Sequence, residues 1–330
     1  MKELGKAPKV ARHVVDAEEA GQRIDNFLLR VCKGVPKSHV YRILRSGEVR
    51  VNSRRVDQTY RLVERDEVRI PPIRLAEPGA QPPAPALEFD ILYEDEAFLA
   101  LNKPAGIAVH GGSGVSFGVI ESLRRARPQA KLLELAHRLD RETSGILLVA
   151  KKRSALNALH DAFREGGTDT RSMDKRYLAL VKGRWLNPVQ HIRLALTKYL
   201  TESGERRVSV DPEGKAAHSI VELEARWPGY SLLGVRIRTG RTHQIRVHLA
   251  ASGFPIAGDE KYGDFALNKA LRKEALPRMF LHAHRLALKH PLTGEPLRIE
   301  APLPADLAGF IRHLDAQSVR EFDQTPGDPH

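Results

Sequence analysis

The stretch His137-Arg138-Leu139-Asp140-Arg141-Glu142-Thr143-Ser144-Gly145 runs directly into the apolar Ile146-Leu147-Leu148-Val149-Ala150 and stops at Lys151-Lys152. An uninterrupted apolar run of this length reads as a buried strand, since helices need more residues. Asp140 therefore stands in the turn that feeds a strand, among the bases His137, Arg138 and Arg141. A salt-bridged structural turn would use the same residue types, because ion-pair networks also gather charges.

Working outward, strands dominate and helices are short. Phe98-Leu99-Ala100-Leu101 leads into Asn102-Lys103-Pro104, and further strands are expected over residues 177–182, 219–225 and 232–238. In the last, Leu233, Val235 and Ile237 alternate with Arg236 and Arg238, which is the period of a sheet with two unlike faces. Ser154 reads as the N-cap of a helix that turns Leu156, Leu159 and Phe163 to the core. Strands that follow one another without an intervening helix predict an α+β domain with a mixed, largely antiparallel sheet.

Upstream lies a smaller unit. Ile24, Phe27, Leu28 and Val31 recur at helical spacing, and Val40, Ile43 and Leu44 mark a second helix after Pro36-Lys37-Ser38. Gly47 ends that helix, whose polar side carries Lys37, Arg42 and Arg45. Val49-Arg50-Val51-Asn52 and Val68-Arg69-Ile70 then read as a strand pair. Residues 74–87 hold four prolines and no periodic apolar pattern, as a semi-rigid linker would. The expected division is an N-terminal extension at 1–20, a small unit at 21–73, the linker, a large unit at 88–318 and a polar tail at 319–330.

Composition narrows the function. Lys and Arg outnumber Asp and Glu by 53 to 41, a formal charge of +12 with a pI near 9.8, which favours polyanionic partners. Residues 1–72 hold 16 bases against 10 acids, so about a fifth of the chain carries half of the surplus. No apolar run approaches the roughly 20 residues of a membrane span, and the charged Met1-Lys2-Glu3 start is followed by no apolar signal segment. A cytoplasmic chain without membrane contact is expected. A single cysteine, Cys32, excludes an internal disulfide and a cysteine-rich zinc site. Gly111-Gly112-Ser113-Gly114 lacks the spacing of phosphate loops and of serine-hydrolase elbows, and reads as a substrate-facing loop. The histidines, including His282-x-His284, have neither metalloprotease spacing nor a carboxylate-rich partner, so no metal is expected.

Arg238-Thr239-Gly240-Arg241-Thr242-His243-Gln244-Ile245-Arg246-Val247-His248-Leu249 follows the alternating strand and opens a helix at Thr242, with Ile245 and Leu249 on its buried side. Cations crowded at a strand-to-helix junction suit an anion or phosphate. Taken with His137-Arg138-Leu139-Asp140 and Lys175-Arg176-Tyr177-Leu178, this string resembles the signatures of the pseudouridine synthases that modify ribosomal and transfer RNA. Asn102-Lys103-Pro104-Ala105-Gly106 and Gly258-Asp259-Glu260-Lys261-Tyr262-Gly263 match further, less specific blocks, and the likeness extends over most of residues 88–300. The small unit resembles the S4 RNA-binding module, departing from its commonest pattern where Lys37-Ser38-His39 replaces Ser-Arg. A longer segment between Glu165 and Tyr177 departs from the synthases and is read as a variable loop.

The resemblance implies an RNA isomerase with Asp140 as its catalytic carboxylate, Arg246 as its ion-pair partner and Tyr177 against the target base. It also implies that Arg138 fills the stack left by a flipped nucleotide. Lys37, Arg42, Arg45, Arg50, Arg241, His243 and Lys261 are the further candidates for RNA contact. The chemistry fits: moving the ribose from N1 to C5 of uracil involves neither redox change nor net hydrolysis, so a carboxylate serves without metal or organic cofactor. Attack at C1′, attack at C6 and abstraction of a ribose proton are all compatible with Asp140, and the Tyr177 hydroxyl is a candidate for moving a proton. The expected substrate is bacterial 23S ribosomal RNA, bound by a monomer. Transfer RNA, or a non-catalytic role in ribosome assembly, is the alternative; the latter would have no need of Asp140, Tyr177 and Arg246 together.

Overall fold

The computed structural model describes residues 10–32, 35–73, 84–112, 116–165, 173–274 and 276–323. The small unit runs β1 (Ala11–Val14), α1 (Ile24–Val31), α2 (Lys37–Arg45), β2 (Arg50–Val51) and β3 (Glu67–Ile70). Both helices form where the apolar spacing predicted them, and Ile24, Phe27, Leu28, Val40, Ile43 and Leu44 close one core with Val51, Leu62 and Val68. The sheet has three strands in the order β1-β3-β2, one more than expected. β1 pairs antiparallel with β3, Ala11 opposite Ile70, so residues 11–14 belong to this unit and not to an extension. Ala11-Arg12-His13-Val14 is an edge strand with no fully buried side chain, and so lacks the alternation that betrays a strand.

The large unit opens with β4 (Ile91–Glu94), β5 (Phe98–Lys103), α3 (Val119–Ala126), β6 (Glu134–Leu135), β7 (Ser144–Ala150), α4 (Arg153–Glu165) and β8 (Met173–Lys182). It continues through β9 (Val189–Ile192), β10 (Leu196–Leu200), β11 (Arg206–Val210), β12 (Ser219–Trp227), β13 (Tyr230–Ile237), α5 (Gln244–Ala251), α6 (Phe265–Leu271), β14 (Leu281–Lys289), β15 (Pro296–Glu300) and α7 (Ala305–Asp323). One sheet has the path β4-β5-β7-β14-β8-β13-β12-β9, with β15 and β6 attached to β14 and β7. Its pairs are antiparallel except β7 with β14. The mixed, largely antiparallel α+β architecture is the one the strand succession predicts.

β7 explains why its sequence is apolar throughout. Ile146 and Leu148 enter the cluster beneath α4, while Leu147 and Val149 enter the one beneath α3, so both faces of the strand are covered. β13 sends Leu233, Val235 and Ile237 against Ile245 and Leu249 of α5. The sheet thus presents the turn before β7, the middle of β8 and the start of α5 to one cleft.

Three boundaries differ from expectation. α4 starts at Arg153, whose amide donates to the Glu18 carboxylate at 3.0 Å, so a residue of the small unit satisfies the helix start and Ser154 falls inside the first turn. α5 starts at Gln244, because His243 is held at φ +53°, outside the helix. α7 reaches Asp323, past the polar tail expected from residue 319. Most of the proline-rich linker, the 113–115 part of the glycine loop and the loop at 166–172 lie outside the described residues. Among the described residues no helix is long and apolar enough to cross a membrane.

Candidate active site

Asp140 leaves the core in a tight turn whose Thr143 amide donates to the Asp140 carbonyl at 3.1 Å. The neighbouring Arg141 carbonyl accepts the Gly106 amide at 2.9 Å and the Lys103 ammonium at 3.1 Å. Lys103, fully buried, also donates to the carbonyls of Pro104 and Ile107 at 2.7 and 2.8 Å. Burial pushes its pKa down to about 7, against the pull of Glu142 and Asp140. The Asn102–Gly106 block therefore clamps the turn that carries the carboxylate.

Asp140 opens into a cleft of about 540 Å³ that is also lined by Arg138, Lys175, Tyr177, Arg238, Arg241, His243 and Arg246. A lone acid among bases in a cleft suits a polyanionic ligand that also meets a carboxylate. The cleft unites all three residues expected to be catalytic.

Tyr177 comes from β8, opposite Val235 of β13 and Ala283 of β14. Burial, and then the Asp140 charge, push its phenol upward, so at neutral pH the hydroxyl is a donor and not a phenolate base. Arg246 stands in the first turn of α5 with only 5% of its side chain exposed. Its Nη1 donates to Asp140 Oδ2 at 3.3 Å, while Nε and Nη2 donate to Asp259 at 2.7 Å each. Burial opposes the guanidinium charge, but the bonds to Asp259 and the charges of Asp259 and Asp140 raise its pKa regardless. The expected pair with Asp140 is present, yet the closer partner is Asp259.

His243, expected to touch RNA, faces Asp140 with Nε2 at 3.8 Å from Oδ2. Its Nδ1 meets the Tyr262 hydroxyl at 2.7 Å, and that hydroxyl also accepts the Val208 amide at 2.9 Å. A phenol proton given to Nδ1 would put the imidazole proton on Nε2, toward Asp140. Burial lowers the His243 pKa, with Asp140 opposing, and favours this neutral form. Arg138 and Arg241 are exposed on the cleft's rim. Lys261 is engaged in an ion pair with Glu205 at 2.5 Å and lines the adjoining groove. Lys37, Arg42 and Arg45 on α2 and Arg50 on β2 are exposed on the small unit and line no part of the cleft.

Sequence reasoning passed over Lys103, Lys175 and Asp259 as individual site residues. Their blocks are visible as motifs, but a charge that packs inward looks in sequence like one that faces water. Among the described residues no cluster of three or more His, Cys, Asp or Glu could hold a metal ion. His282 and His284 both turn to the Ala301 carbonyl, at 3.3 and 2.9 Å.

Residues 97–251 match the family model of RNA pseudouridylate synthase, and residues 22–68 match the S4 domain. A ribosomal large subunit pseudouridine synthase C of Escherichia coli (strain K12) is 52% identical over 315 residues, covering 93% of this chain and 97% of that protein. The protein of that name from Haemophilus ducreyi is 50% identical over 309 residues, covering 92% and 95%. The solved structure of Human RNA Pseudouridylate Synthase Domain Containing 1 superposes with a TM-score of 0.55 at 26% identity, over 76% of this chain and all of that one. With identity of half or more across nearly the whole length of such relatives, and with both family models in register with the two units of the fold, the chain belongs to the RNA pseudouridylate synthase family.

Proposed function

We propose that this chain isomerises uridines in the 23S RNA of the large ribosomal subunit to pseudouridine, in the cytoplasm, with Asp140 as the catalytic carboxylate. The observation that carries the reading is the Asp140 carboxylate at the floor of a cationic cleft, 3.3 Å from an Arg246 guanidinium nitrogen. In the reaction the N1–C1′ bond breaks, a C5–C1′ bond forms, a proton leaves C5 and one is gained at N1. Nothing is oxidised and no water is consumed. The Arg246 guanidinium supplies Asp140 with a countercharge and an N–H donor at 3.3 Å. Uridine in a helix cannot reach a recessed carboxylate, so the nucleotide must leave its stack at a cost of a few kcal/mol. Arg138, exposed on the rim, is suited to fill the gap, and Tyr177 offers the flipped base an aromatic face. Large-subunit RNA is favoured over transfer RNA because the relatives similar along the whole chain are ribosomal large subunit synthases.

We further assign capture of RNA to the unit ending at residue 73 and catalysis to the unit from residue 88, the former now including β1 and the latter all of α7. Mapping pseudouridines in ribosomal and transfer RNA from cells lacking the gene, then complemented with wild type or Asp140→Asn, tests the proposal. Sites in 23S RNA should vanish and return with the wild type alone. Restoration by Asp140→Asn would remove the assignment of Asp140 as the catalytic carboxylate, and loss confined to transfer RNA would remove the substrate.

A further inference from the structure

The Gly258–Gly263 turn contains an almost fully buried carboxylate, Asp259, at 1% exposure. Its Oδ2 accepts Arg246 Nε and its Oδ1 accepts Arg246 Nη2, both at 2.7 Å, while Oδ1 also takes the amides of Lys261 and Tyr262 at 2.8 and 3.1 Å. Two parallel bonds along one edge fix the plane of a guanidinium, which a single bond cannot do. The Tyr262 ring supports the same group, its centroid 5.1 Å from Arg246 Cζ. The turn itself has little room to shift: Gly258 has φ +79°, and a Cβ there would come within 2.2 Å of the Arg278 carbonyl oxygen. Only Nη1 is left to reach Asp140, at the longer distance of 3.3 Å.

We infer that Asp259 is a positioning residue for the isomerisation: it holds Arg246 by its Nε–Nη2 edge so that one N–H is aimed at Asp140. The inference rests on the assignment of Asp140 and Arg246 made above. It follows from the unequal distances together with the burial. A guanidinium that depended on Asp140 alone would become an unpaired buried cation whenever Asp140 lost its charge during turnover, and such a cation is strongly disfavoured. Asp259, which no substrate reaches at this depth, keeps Arg246 paired and oriented throughout. The two bonds and the cation also hold the Asp259 carboxyl below its ordinary pKa in spite of burial, which opposes it.

The test uses full-length protein and a 23S RNA fragment under single-turnover conditions. Asp259→Asn retains an oxygen for the Lys261 and Tyr262 amides, so the turn persists while the bond to Arg246 Nε and the carboxylate charge are lost, and with them the two-point hold on the guanidinium plane. The expected result is unchanged RNA affinity with a rate reduced about a hundredfold, the cost of misplacing a catalytic group by about 1 Å. The double variant Arg246→Met with Asp259→Asn should be no slower than Arg246→Met alone, since Asp259 acts only through Arg246. A wild-type rate in Asp259→Asn, or a multiplicative loss in the double variant, would overturn the inference. If Asp259→Asn does not fold, the Asp140→Asn protein decides it through the nitrogen-15 NMR signal of the Arg246 Nε–H, assigned by its loss in Arg246→Lys. That proton should stay protected from exchange without Asp140, and its exposure would mean that Asp140, not Asp259, is the anchor. Failure of the underlying assignment is separately visible, as turnover by Asp140→Asn.

Discussion

At the scale of single residues, Arg246 joins two carboxylates of different kinds, one facing the cleft and one buried. Replacing it by Met affects both. Asp140 loses its guanidinium countercharge and N–H donor, so turnover should collapse. Asp259 becomes an unpaired buried charge, an event that costs about 3–5 kcal/mol. Arg246→Met should therefore be both inactive and markedly less stable, whereas Asp140→Asn should be inactive at nearly wild-type stability, because the 18% exposed Asp140 can exchange protein contacts for water. Urea denaturation of the two variants beside the wild type checks this. Equal stability of all three would mean that the Asp259 bonds contribute nothing. That Asp140, Tyr177, Arg138 and Arg246 share one cleft was legible because each lies in a dense motif. The role of Asp259 was not, since the bond joins a helix to a turn 13 residues away and depends on side chains whose depth the sequence does not encode.

At the scale of elements, the site depends on how closely β7 approaches β14. Gly145, the second residue of β7, has φ +108°, and a Cβ there would stand 2.2 Å from the Ala283 carbonyl oxygen and 2.8 Å from its amide nitrogen. These are backbone atoms of the parallel pairing of β7 with β14, so no side-chain rotation relieves the overlap. Gly145→Ala should push β7 away from β14 and displace the turn that carries Asp140. A loss of several kcal/mol is expected, beyond the usual range for a point substitution, with activity lost even at temperatures where the variant remains folded. Thermal melting and single-turnover assays together test it, and a stable, active variant would show that the pairing is not what aims the carboxylate. The apolar run of β7 revealed a buried strand, and the alternation in β13 a half-covered one. β1 and the last turns of α7 escaped, since β1 is an edge with polar and apolar residues intermixed and α7 ends in a polar stretch. The start of α4 escaped for another reason: its partner, Glu18, is 135 residues away.

At the scale of the whole molecule, two imidazoles held neutral weaken the fold in acid: His137, half-buried, and His282, fully buried. His137 accepts the Leu148 amide at Nε2, which only an unprotonated nitrogen can do, and burial, then Lys175, push its pKa down to about 3. His282 lies between the Ser144 hydroxyl and the Ala301 carbonyl, and burial lowers it to about 4. In the unfolded chain both titrate near about 6.5. Between these values the unfolded chain binds more protons, so stability rises with pH there; the contribution is complete above about 6.5 and is lost as pH falls through about 4 and then about 3. Stability measured over that range should decline with acid, and His137→Gln, with one titrating group fewer, should decline less steeply by about 1.4 kcal/mol per pH unit. Identical slopes would remove His137 as a contributor.

The charge of the small unit makes an independent prediction for the assembled molecule and its RNA. Lys37, Arg42 and Arg45 extend from one side of α2 into solvent, while Val40, Ile43 and Leu44 hold its other side in the core, so the three bases can be removed without touching the packing. If they meet phosphates, each releases counterions on binding, at about 0.7 of a unit of salt slope per contact for single-stranded regions. The variant with all three changed to Ala should bind 23S RNA more weakly, with a log–log salt dependence shallower by about 2. Its rate at saturating RNA should equal that of the wild type, because Asp140, Tyr177 and Arg246 lie in the other unit. Titration at several salt concentrations, paired with single-turnover assays, separates the two roles. An unchanged slope would make the basic face of α2 a solvated surface and leave RNA capture to the cations of the cleft.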